Sequence, residues 1–133
     1  MTTITAPVNI EELVKSYLDS NLGFGYAGTP VSFDVPKGKQ PRAFIRIVSL
    51  QGTKLSPAHF VQPIIIESWA SERRVAQELG TITAGVLEQM EGLPRVWGVQ
   101  TRTGYHFPDP ITGTQRYLQT VDFTTTATLM KEN

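Results

Sequence analysis

Residues 116–130 constrain the fold most. Tyr117, Val121, Phe123, Ala127 and Leu129 recur at even spacing, while Thr120, Asp122, Thr124, Thr126 and Thr128 fill the alternate positions. Only an extended strand puts two such sets on opposite sides, because successive strand residues point to opposite faces. The apolar set needs a cover. Val75, Leu79, Ile82, Val86 and Met90 supply one as a helical stripe, widened by Ala76 and Leu87. A stripe covering more than about a third of the circumference predicts a helix lying flat on a sheet. That helix starts near Ser71 and is stopped by Gly92 and Pro94.

An earlier helix is predicted over residues 10–21. Asn9 and Glu12 form a capping box, Ile10, Leu13, Val14, Tyr17 and Leu18 share a face, and Gly23 marks the stop. Further strands are read at Val31–Val35, Arg42–Leu50, His59–Trp69 and Val96–Thr103. Pro63 places the third of these at an edge or a bulge, since proline cannot donate to a ladder. The segments 23–30, 36–41, 51–57 and 103–115 read as loops.

The resulting order, α-β-β-β-α-β-β, predicts an α+β fold. Grouped strands split by one helix favour a single mixed or antiparallel sheet of about five strands, with both helices packed on one face. Val75, Leu79, Ile82 and Val86 should then meet Ile45, Ile47, Ile64 or Ile66, and Val121 or Phe123. The 133 residues are read as one domain, with residues 1–8 as a flexible N-terminal arm.

Composition narrows the function. Twelve basic and twelve acidic residues balance to zero formal charge, which argues against nucleic acid or an anionic membrane as the main partner. Charged residues are 18% of the chain, below the usual ~25%, so little repulsion keeps copies apart. With no cysteine, thiolate chemistry, disulfides and Cys-based metal sites are excluded. The opening residues lack the basic and apolar regions of a signal peptide. The longest aliphatic run, Ile64–Ile66, is far short of a membrane span.

The motifs do not assemble catalytic chemistry. Gly23-Phe-Gly25-Tyr-Ala-Gly28 matches G-x-G-x-x-G, but a helix leads in and a strand follows, the reverse of the dinucleotide-binding order. His59 and His106 show no convergent set of metal ligands. Asp34, Glu67, Asp109 and Asp122 lie on separate segments. The expectation is therefore a non-enzyme without cofactor or metal.

Two segments read as contact surfaces. The loop 103–115 is long, and it carries apolar Tyr105, Phe107 and Ile111 where polar residues are the norm. It is expected to be mobile until a partner orders it. The Thr-rich face of the last strand lacks the lysines that guard an edge, so it is expected to pair with another chain. Candidate contact residues are Tyr105, Phe107, Ile111, Arg116, Thr124 and Thr126.

The element order, Ser68-Trp-Ala-Ser71 before the second helix, and Pro108-Asp-Pro-Ile-Thr-Gly-Thr-Gln-Arg-Tyr117 before a Thr-rich last strand resemble small tail proteins of actinobacterial siphophages. Within that group the chain is most similar to tail terminators. The resemblance implies a ring, typically of six copies, that caps the tail tube and meets the head connector at the head-proximal end of the virion tail. Its implied partners are further copies of the chain, the tube protein and neck proteins, with DNA only passing through the channel and no membrane. Assembly would take place in the host cytoplasm. A neck or head–tail connector subunit is the near alternative. A small ligand-binding or enzymatic domain, using a cavity between sheet and helices, is the alternative of a different class.

Overall fold

The computed structural model describes residues 2–132. In chain order the elements are β1 (Thr2–Pro7), α1 (Ile10–Asn21), β2 (Val31–Ser32), β3 (Ala43–Ser49), β4 (Thr53–Ser56), β5 (His59–Ala70), α2 (Arg73–Glu88), β6 (Val96–Thr101), β7 (Tyr105–His106) and β8 (Gln115–Glu132). The architecture is α+β, with a single sheet of eight strands in place of about five. The three additions lie in segments read as irregular. They are β1 in the expected arm, β4 in the 51–57 loop and β7 in the 103–115 loop.

The sheet runs β1-β8-β5-β3-β2, with β4 also on β5 and with β6 and β7 also on β8. Only β2–β3 is parallel among these pairings. Two expectations about edges are corrected. β8 is not an edge: Ala127 N–H donates to the Ala58 carbonyl on the β5 side and Thr126 N–H to the Arg95 carbonyl on the β6 side. Its backbone is therefore already engaged where Thr124 and Thr126 stand. β5 is not an edge either, since it pairs with β3 and β8. Pro63 is tolerated because its backbone faces the gap between the end of β3 and the start of β4. There its carbonyl accepts from Leu50 N–H at 3.1 Å, and no ladder bond needs the missing donor.

The flexible arm expected over residues 1–8 is also corrected. Thr2–Pro7 form β1, antiparallel to Ala127–Glu132, and residue 1 lies outside the described residues. The arm contains Thr-Thr-Ile-Thr, a β-branched run that favours a strand once a partner is present.

Helix α1 begins as its sequence requires: the Asn9 carboxamide accepts from Glu12 N–H at 3.3 Å. Ile10, Val14 and Leu18 of α1 share one buried cluster with Leu79, Val86 and Leu87 of α2 and with Ile45, Ile47, Ile64, Ile66, Val121 and Phe123 of the sheet. Val75 packs separately with Ala70 and Ala76, and Ile82 sits half-buried at the margin. At two glycines Tyr117 makes a close approach possible. A methyl group on Gly80 of α2 would stand 2.5 Å from Tyr117 Cδ2, and one on Gly104 would stand 2.6 Å from the Tyr117 hydroxyl.

Candidate functional site

Burying the alternate face of β8 against the helices leaves large apolar groups at both ends of that strand. At its start, β7 pairs Tyr105 with Leu118 and His106 with Tyr117. Tyr105 and Phe107 emerge on the same side, edge to face at 6.4 Å, and Ile111 at the loop tip is 90% exposed. Phe24, in the loop beside Ala43 and Val75, is exposed near the same end. At the far end stand Trp97, 65% exposed, and the β1–β8 ribbon with Ile4, Leu129 and Met130, each more than half exposed. Leu118 and Met130 are twelve residues apart on one strand, about 40 Å at ~3.3 Å per residue. Exposed apolar side chains gathered at two separated ends are characteristic of contact sites.

The loop at the first end, expected to be mobile until a partner orders it, carries a hydrogen-bonded turn of its own. The Asp109 carboxylate accepts from Thr112 Oγ1 at 2.6 Å and from Thr112 N–H at 3.1 Å. These bonds hold its pKa below the ordinary carboxylate value, with the Thr112 hydroxyl the largest cause. Backbone bonds from Asp109 N–H to the Thr114 carbonyl and from Gly113 N–H to the Asp109 carbonyl close the turn. Gly113, at φ 72°, occupies the left-handed position that the turn requires.

Arg116 supports this loop from beneath. Its guanidinium lies 5.1 Å from the ring centres of both Trp69 and Phe107, and Trp69 stacks in turn on Phe44 at 5.2 Å. Nearby, the buried Glu67 carboxylate accepts from Trp69 Nε1 at 3.0 Å and from Arg46 at 3.4 Å. Arg116 thus braces the loop more than it meets a partner. Of the residues read as contacts, Tyr105 and Phe107 touch edge to face and Ile111 is exposed at the tip of the same loop, whereas Thr124 and Thr126 are half-buried near the middle of β8, beside β5.

The remaining chemistry-bearing residues sit apart. His59 packs edge-on against Trp97 and His106 against Tyr117. His106 Nε2 is 3.2 Å from Gln77 Oε1, while Nδ1 is buried with no hydrogen-bond partner among the described residues. The Gly23–Gly28 loop connects α1 to β2 and is tied down by Tyr26, whose hydroxyl donates to Glu78 at 2.8 Å.

An apolar groove of about 490 Å³ opens beside the second end. Leu13 and Tyr17 of α1 form one wall; Met90, Leu93, Pro94 and Val96 form the other. It lies between α1 and the turn after α2, not between the helices and the sheet. Sequence reasoning missed both this groove and the ribbon. Each is assembled from segments distant in sequence, and the only available signal was the β-branched run of Thr2–Thr5. Among the described residues, no helix is long and apolar enough to cross a membrane. Comparisons with protein-family models and with curated proteins find no match.

Proposed function

We propose that this chain is a structural assembly protein that works by association: a ring-forming tail terminator that caps a phage tail tube and offers the opposite surface to the head or neck. The supporting observation is the separation of exposed apolar groups to the two ends of β8, with Tyr105, Phe107 and Ile111 at one and Ile4, Trp97, Leu129 and Met130 at the other. A subunit that links two different neighbours needs two such ends, and repeated head-to-tail contacts that close by rotation make a ring. The preformed Asp109–Gly113 turn lowers the entropy lost when a partner docks on the first end.

The native mass and a negative-stain image of the purified protein, alone and with tail tubes, test this reading. Rings, alone or at tube ends, are expected. A protein that stays monomeric in both settings overturns the proposal. Lysates lacking the protein separate termination from connection: over-long tails without heads support a terminator, whereas filled heads without a neck ring indicate a connector.

A further inference from the structure

The outer part of the β1–β8 ribbon is exposed, at Thr2–Ile4 on β1 and at residues 128–132 on β8. β5 accompanies β8 only as far as the pair His59–Thr126, and beyond it residues 127–132 have β1 as their strand partner. A lone two-stranded ribbon is marginal in water. β1 itself carries no charge; the Lys54 ammonium of β4 donates to the Thr5 hydroxyl at 3.1 Å, on the face that holds Leu129, and leaves the Ile4–Met130 pair free of charge. Its two faces differ. Ile4 lies opposite Met130 and Thr2 opposite Glu132, which puts an apolar pair and an acidic tip on one face. Leu129 and Lys131 belong to the other.

The groove between α1 and the α2–β6 turn has the complementary character. Its walls are Leu13, Tyr17, Met90, Leu93, Pro94 and Val96, and Arg95 stands at its rim. Arg95 is exposed, is held at φ 75°, and makes no ion pair among the described residues; neither does Glu132. The ribbon cannot fill the groove of its own chain. Only Val8 and Asn9 separate β1 from α1, while the groove is lined by α1 from Leu13 to Asn21. β8 also runs unbroken into the ribbon.

We infer that the occupant of this groove is the ribbon of a second copy of the chain, seated by its Ile4–Met130 face with Glu132 toward Arg95. Each copy then gives a ribbon to one neighbour and a groove to the other. That contact is heterologous, and its repetition closes into a ring or continues as a filament. The inference deepens the ring-forming reading and rests on it. It names the contact that joins the subunits, and it leaves the Tyr105–Ile111 end free for a different partner.

A mixing experiment tests it. One variant disables the ribbon (Ile4→Lys with Met130→Lys) and the other disables the groove (Leu93→Glu with Arg95→Glu). Both pairs are surface positions, so each variant should keep the wild-type unfolding midpoint. If the lysines lower it, Ile4→Thr with Met130→Thr replaces them. Each variant alone should be monomeric by light scattering at concentrations where the wild type is assembled. Mixed one to one, they should form dimers and nothing larger, because one intact ribbon meets one intact groove. Assembly of either variant alone, or a mixture that stays monomeric, overturns the ribbon–groove contact while leaving the ring reading in place. A wild type that is monomeric both alone and with tail tubes overturns both.

Discussion

The Arg116 guanidinium lies over the Phe107 ring, 5.1 Å from its centre, and its Nε donates to the Phe107 carbonyl at 2.9 Å. One side chain thus holds both the ring and the backbone of the same residue. Its other face rests on Trp69. Lysine would keep the charge but lose the flat, forked geometry that makes both contacts. Arg116→Lys should therefore lower stability by about 1–2 kcal/mol, the range of a partly desolvated cation–π contact plus a charged hydrogen bond. Urea unfolding followed by tryptophan fluorescence, which Trp69 reports, measures this. An unchanged midpoint would show that the stack is incidental.

The contact between Gly80 and Tyr117 predicts a reversal of sign. In an exposed helix, Gly→Ala adds up to ~1 kcal/mol of stability. Here the added methyl would meet the Tyr117 ring at 2.5 Å, so Gly80→Ala should destabilise by about 1–3 kcal/mol, as overpacking does. In a Tyr117→Ala background the same change should become neutral or stabilising. A double-mutant cycle reads the coupling directly. Additive effects would place α2 further from β8 than described.

Leu79 is fully buried between α2 and the sheet, in the cluster that contains Ile66 and Phe123. Leu79→Ala should cost about 2–5 kcal/mol. Equilibrium denaturation checks it, and a loss below ~0.5 kcal/mol, the scale of surface substitutions, would contradict this packing.

His106 should make the fold sensitive to mild acid. Desolvation, and then the Arg73 charge, lower its pKa below the ordinary 6.5 of an imidazole. Protonation would also place a buried Nδ1–H where no acceptor lies among the described residues. The unfolded chain binds the proton more readily, so stability rises with pH through this window. The contribution is complete above about pH 6.5 and is lost as pH falls through the depressed folded value. Unfolding midpoints at pH 7.5 and 5.5 should differ more for the wild type than for His106→Gln. Equal pH dependence would mean that His106 charges freely in the folded chain.

Local periodicity was enough to find both helices, the strands that build the core, and most core residues. Leu79 and Val86, and Val121 and Phe123, face inward because a 3.6-residue or two-residue repeat records directly which side of an element is dry. The same reasoning found Tyr105, Phe107 and Ile111, since apolar residues in a loop stand out wherever that loop lies. It was blind to neighbours. Whether β8 is an edge or central depends on backbone pairing with β5 and β6, and whether Thr2–Pro7 is an arm or a strand depends on pairing with a segment more than a hundred residues away. Pairing of that kind leaves little mark on the side chains of either partner, because a ladder bond uses the peptide group that every residue but proline shares. Pro63 shows the limit clearly. Its ring forbids a donor, but only the tertiary arrangement sets a gap between β3 and β4 opposite it, so a residue that reads as an edge marker lies in a central strand.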